Sequence, residues 1–379
     1  MRTRRFLVMA LLLSVFVLSA CQGGGGNTVK VAILAPLSGD VATFGESTRD
    51  GVLLAVEEWN EDGGILGKEI EVVVEDSQCS PEAAVSAANK VIDQDGVKFI
   101  IGEVCSSASI PVSEIVTDKE VLQISPTSTN PSVTVDESNN TKPTVFRACF
   151  IDPFQGSVAA KFAMDNLDAQ TAAVFLDQGN DYVRGLAEVF INEFSAMGGE
   201  VVVEESYTAE DQDFSAILTK VKDANPDVLY LPDYYSTVNL IAAQAKERGI
   251  EAALMGGDGW DSSDLDLSVV EGGYYTNHFS PDDTRAIVQD FVSKYDEAYG
   301  STPDALAALA YDAANILFQS MVEADSTTEP LEVAAAMENG VFQVVSGDIS
   351  YDEFHNPVKA AVVLKVEDGN ILYTDTIAP

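Results

Sequence analysis

Short apolar runs alternate along most of this chain with longer stretches whose apolar positions recur at helical spacing. Thr28 to Ala35 (TVKVAILA) predicts a strand, and Pro36-Leu37-Ser38-Gly39 a turn. Val52, Leu53, Val56 and Trp59 then mark a helix that Gly63-Gly64 stops. Glu69 to Glu75 is the second strand, and Pro81 opens a helix through Ala84, Ala87 and Val91. Phe99 to Ile101 and Val121 to Ile124 are further strands. One unit ends near Phe146, and Asp152-Pro153 starts another. The second unit predicts strands at 172–176, 201–205, 228–231, 252–256 and 274–279, with helices at 182–194, 214–221 and 238–247. Helices at 284–299 and 303–322 follow. The tail differs: 341–350 and 358–376 read as short strands, the last pair turning at Asp368-Gly369. Alternating strand and helix implies parallel sheets covered on both faces. Two such α/β lobes sharing a tail predict a hinge of several chain crossings.

Lys98 to Ser109 (KFIIGEVCSSAS) is the most pointed stretch. A strand buried on both faces stops at Gly102, turns through Ser106, Ser107 and Ser109, and opens a helix. Such a corner offers free N–H groups, hydroxyls and a positive dipole end, which suits an anion and specifically a carboxylate. The plainer alternative is that Ser106 and Ser107 only cap their own helix.

The N-terminus changes the setting. Arg2, Arg4 and Arg5 precede the apolar run Phe6 to Leu18, which has signal-peptide length and is short for a membrane span. Leu18-Ser19-Ala20-Cys21 resembles the lipobox of bacterial lipoproteins, which implies a signal at 1–20, cleavage before Cys21 and lipidation of its sulfur. A Gly-rich tether at 21–27 would leash the domain to the outer face of the membrane. No later apolar run is expected to span a bilayer. Formal charge is −40, or −43 without the three leader arginines, which argues against nucleic acid and anionic lipid as partners. Cys149, in FRACF, reads as a buried thiol.

Catalytic patterns are missing from the sequence. Its two histidines, His278 and His355, fit no metal-ligand spacing. There is no G-x-S-x-G elbow, and Gly67-Lys68 is followed by Glu69, so the stretch is no P-loop. No catalytic residue, metal or cofactor is therefore expected.

The segments VAILAPLSGDVATFG (31–45), NEDGGILGKEIEVVVED (60–76), CSS (105–107), ISPTSTNP (124–131), NDYVRG (180–185) and LMGGDGW (254–260) together resemble the periplasmic leucine/isoleucine/valine-binding proteins, the amino-acid receptors of ABC importers. The resemblance implies two doubly wound lobes joined by a three-strand hinge, one formed by 28–148 plus 278–357 and the other by 149–277 plus 358–379. It implies a disulfide between Cys79 and Cys105, which would add about 3 kcal/mol in a chain-entropy model. It further implies a monomer that binds an amino acid and hands it to a membrane permease. A sensory receptor for amides or small carboxylates, feeding a signalling partner, is the alternative.

Residue by residue, the resemblance makes Ser106 a carboxylate donor and Thr129, with the backbone at Thr127 and Ser128, a grip on carboxylate and amine. Thr127 and Ser128 stand where some members have alanine, so their hydroxyls would alter water in the site. Asp258 would pair with the α-ammonium, in place of the usual glutamate. Tyr182 and Tyr234 would reach the ligand on closure, and Phe44 and Leu306 would wall its side chain. The physics agrees: a zwitterion needs donors at one end, an acceptor at the other and an apolar slot between.

Overall fold

The computed structural model describes residues 27–379; the leader, the lipobox with Cys21 and all but the last residue of the tether lie outside the described residues. The chain begins β1 (Thr28–Ala35), α1 (Ala42–Glu61), β2 (Glu69–Asp76), α2 (Pro81–Asp93), β3 (Phe99–Gly102), α3 (Ser106–Asp118), β4 (Leu122–Ser125) and β5 (Val145–Arg147). These strands form a parallel five-stranded sheet in the order β2-β1-β3-β4-β5. Every residue of β3 and β4 is buried, which accounts for the unbroken apolar run Phe99 to Ile101 in β3; β4 buries the polar Gln123 and Ser125 as well.

After β5 the chain crosses at 148–151 into the second unit. There follow α4 (Asp152–Asn166), β6 (Thr171–Asp177), α5 (Asp181–Ala196), β7 (Glu200–Tyr207), α6 (Ser215–Ala224), β8 (Val228–Tyr230), α7 (Tyr235–Glu247), β9 (Ala253–Gly256) and β10 (Tyr274–Asn277). The chain then leaves for α8 (Ala286–Tyr299), α9 (Ala305–Glu323), α10 (Pro330–Glu338) and the small hairpin β11 (Phe342–Val344) and β12 (Gly347–Ile349). It comes back with β13 (Ala361–Glu367) and β14 (Asn370–Ile377). The second sheet runs β14-β13-β10-β9-β8-β6-β7, parallel from β7 to β10 and antiparallel through β13 and β14. Asp368 and Gly369 turn the last hairpin, both at positive φ (53° and 70°), as a two-residue primed turn requires.

Three features depart from the sequence reading. The three-residue β5 and the nine-residue α10 had no predicted counterpart; both are too short to establish a period. By length and composition α9 is apolar enough to cross a membrane, contrary to expectation. It is a core helix instead: 78% of the apolar stretch is buried, and it packs along α1.

Candidate ligand-binding site between the lobes

In each sheet the strand order reverses at one point, between β1 and β3 in the first and between β6 and β8 in the second. Loops leaving adjacent strand ends at such a point diverge and open a crevice, where α/β sheets bind ligands. Phe44 follows β1 and Ser106 follows β3; Tyr182 follows β6 and Tyr234 follows β8. Asp258 follows β9, and Thr127 to Thr129 follow β4. Chain topology thus brings these loops to the facing ends of two sheets.

A helix start without a side-chain cap forms one side. Cys105, the N-cap of α3, makes no side-chain cap bond. Ser106 does not cap either: its Oγ accepts from the backbone N–H of Asn130 (3.3 Å) and keeps its own proton to donate. The disulfide Cys79–Cys105, with Cα atoms 5.5 Å apart, pins this turn to the end of β2. Beneath it Glu103 is fully buried, accepting from Ser77 Oγ (2.5 Å) and the Cys105 N–H (2.6 Å). Burial pushes the Glu103 carboxyl up to about 7. Thr129 Oγ1 is buried without a hydrogen-bond partner.

Asp258 forms the opposite side. Its Oδ1 accepts from Tyr182 Oη and Gln155 Nε2, each at 2.8 Å, and its Oδ2 lies 3.1 Å from His278 Nε2. A carboxylate offers about four acceptor positions, so one is left for a further donor. Burial holds His278 neutral, with its pKa lowered to about 4. A Cβ on Gly257 would sit 2.7 Å from Tyr182 Oη, and one on Gly259 would sit 2.8 Å from the Asp233 carbonyl. Only glycines on both sides let Asp258 lie this close to its partners.

Phe44, Val104, Ser106, Thr127 and Leu306 from one lobe and Tyr182, Tyr234, Asp258 and Gly259 from the other line a single slot. The rings of Tyr182 and Tyr234 stack at 5.2 Å, and Phe44 meets Tyr234 edge-on at 5.5 Å. The lobes also bond directly: the Asp181 N–H donates to Ser107 Oγ (2.8 Å), Asn130 Nδ2 donates to the Asp181 carbonyl (3.0 Å), and Thr43 Oγ1 meets Ser262 Oγ (2.9 Å). The lobes are closed on one another.

Of the residues singled out from sequence, Phe44, Ser106, Thr127, Tyr182, Tyr234, Asp258 and Leu306 line the slot. Ser128 and Thr129 do not: both are fully buried, and the Ser128 hydroxyl turns inward to Ser109 Oγ (2.5 Å) and the Glu103 carbonyl (3.2 Å). Thr127 Oγ1 likewise donates to the Val104 carbonyl (2.9 Å). These hydroxyls are spent on main-chain carbonyls rather than on water in the slot. Sequence reasoning missed Val104, the Gln155 and His278 partners of Asp258, and Ser107 as an inter-lobe contact. No local pattern marks these, because each acts through a residue distant in sequence. Cys149 is buried and free, and burial pushes its thiol up to about 12.

A family model described as periplasmic binding protein matches residues 28–370. The leucine-, isoleucine-, valine-, threonine- and alanine-binding protein of Pseudomonas aeruginosa is 34% identical over 334 residues, covering 86% of each chain. A leucine-binding protein from Thermotoga maritima superposes with a TM-score of 0.87 at 36% identity, covering 93% of this chain and 99% of its own. A branched-chain amino-acid transporter substrate-binding protein from Streptococcus pneumoniae, solved with isoleucine, gives 0.86 at 29% identity and covers 93% of this chain and all of its own. The members of this family are extracytoplasmic binding proteins, not enzymes. This chain belongs to the leucine/isoleucine/valine-binding branch of the periplasmic binding protein family.

Proposed function

We propose that the protein is the substrate-binding lipoprotein of an ABC importer and that its ligand is an α-amino acid with an apolar, branched side chain. One observation carries the reading: donors at the start of α3 and an acceptor at Asp258 face one aromatic-walled slot from opposite lobes. Ser106 and the first-turn N–H groups of α3 take the carboxylate. The remaining acceptor position of Asp258 takes the ammonium, and Phe44, Tyr182, Tyr234 and Leu306 enclose the side chain. The segments near 149–151, 277–279 and 355–358 are the hinge, dividing the lobes near 149, 278 and 358. Closure removes the ligand from water, and a membrane permease reads the closed, monomeric shape. Cys21 carries the anchoring lipid. Relatives named for leucine, isoleucine and valine support the ligand class.

Calorimetry against the twenty amino acids tests this. Saturable heat is expected with leucine, isoleucine or valine. Absence of both heat and thermal shift with every one of them rejects the reading.

A further inference from the structure

A cavity distinct from the inter-lobe slot lies beside the hinge. It has a volume of about 620 Å³, and its walls come from both sides of the crossings: His278, Asp282 to Arg285 and Ser346 on one side, Lys359 and Val362 with Tyr373 on the other. Lys359 lines it and is only 5% exposed. The Lys359 ammonium donates to Ser346 Oγ (2.5 Å), and among the described residues no carboxylate lies within 4 Å of it. Asp312 is the acid whose charge acts on it, yet both Asp312 oxygens are taken by the N–H groups of Val345 and Ser346, each at 2.8 Å. An ammonium carries three donors, so two of those on Lys359 are unused. Burying such a charge without a counter-charge costs several kcal/mol, so the cavity favours an anion.

A second orphan lines the same space. His278 is 3% exposed; its Nε2 is engaged with Asp258 and its Nδ1 has no partner. With Nε2–H donating to the carboxylate, Nδ1 presents a lone pair that seeks a donor. Arg285 is already paired with Asp283 (2.7 Å) and the Val345 carbonyl (2.7 Å). Asp282 and Asp348 are exposed at the rim and disfavour an occupant of high negative charge.

We propose that this hinge cavity is a second binding site, for a small monocarboxylate that also carries a hydroxyl or amino donor. The carboxylate takes the two free donors of Lys359 and the donor takes His278 Nδ1. Because the walls belong to segments on both sides of the hinge, occupancy changes with closure. Because His278 also holds Asp258, the two sites are in physical contact. Any effect of one ligand on the affinity for the other must then be mutual. The site does not depend on what fills the slot between the lobes.

The test uses the whole exported protein with its two histidines isotope-labelled. L-lactate and propionate are titrated separately at constant ionic strength while the imidazole signals are followed by NMR. Lactate should shift the His278 signals saturably, leave those of His355 in place, and bind at least several-fold more tightly than propionate. His355 is a built-in control because its nitrogens are bonded to the Val145 carbonyl (2.9 Å) and Glu338 (3.0 Å). The shift should vanish in Lys359→Met, persist in Lys359→Arg and persist in Ser106→Ala, which disables the slot. If Lys359→Met does not fold, Ser346→Ala should weaken the same titration several-fold. No saturable shift, a shift unchanged in Lys359→Met or Ser346→Ala, or one lost in Ser106→Ala overturns the proposal.

Discussion

At the scale of single residues, two carboxyls decide how the slot treats charge. Asp258 is held by Tyr182, Gln155 and His278, so removing its charge leaves those donors facing a neutral amide. Breaking a buried charge pair costs about 3 kcal/mol or more. Asp258→Asn should therefore lose roughly a hundredfold in amino-acid affinity by calorimetry while its melting temperature changes little; near-normal affinity would refute the ammonium assignment. Glu103 acts on the other end. Its carboxyl is raised from the ordinary 4.5 to about 7. The folded chain thus binds this proton more tightly than the unfolded one. Its cost is absent below about pH 4.5, grows as pH rises to about 7, and is constant above. That cost reaches about 3 kcal/mol at most. Glu103→Gln should raise the melting temperature at pH 8 and leave it unchanged at pH 4.5. An ionised Glu103 also sits beneath the anion corner, so affinity in the native protein should fall from pH 6 to 8 and stay flat in the variant. Scanning calorimetry and titration at both pH values check the pair.

At the scale of elements, two helix starts meet across the cleft. The α5 start is capped by Asn180, whose Oδ1 accepts from Tyr182 N–H (3.1 Å) and Val183 N–H (3.4 Å). Its Asp181 N–H stays free of that cap and reaches Ser107 in the other lobe. Ser107→Ala removes one inter-lobe bond worth about 0.5–1.5 kcal/mol. Affinity should drop about two- to tenfold, through faster ligand release, and small-angle scattering should show a larger open fraction. An unchanged release rate would exclude Ser107 from closure. The disulfide belongs to the same scale, because it ties the end of β2 to the cap of α3. Replacing both Cys79 and Cys105 by serine should lower stability by about 3 kcal/mol in denaturant titration.

At the scale of the whole molecule, buried acids set the pH response. Burial raises Glu103, Asp233 and Asp304 each to about 7 and Asp152 to about 8. All four stabilise the folded state when protonated, so each loses stability as pH rises toward its folded value. His278, lowered to about 4, works the other way and costs stability as pH falls below 6.5. The acids outnumber it, and a formal charge of −40 adds self-repulsion that protonation relieves. The melting temperature should therefore be higher near pH 5.5 than at pH 8, and added salt should narrow the gap by screening the surface part. A maximum above pH 8 would contradict this account.

Periodicity made most of the architecture legible, because buried parallel strands and amphipathic helices each repeat at their own spacing. Phe99 to Ile101 could be read as a strand, and Ser106 as sitting on the turn that opens a helix, from a dozen residues. The sequence did not disclose β5 or α10, which are too short to repeat. Nor did it disclose that Ser128 turns inward while Ser107 bridges the lobes, since the two serines look alike in one dimension. The pairing of His278 with Asp258, and of Lys359 with a cavity rather than a carboxylate, depends on how strands far apart in sequence lie side by side. Local composition determined which elements form and which loops end them. Only the tertiary arrangement decided which side chains meet, because hydrogen bonding and burial are set by neighbours the chain brings together after folding.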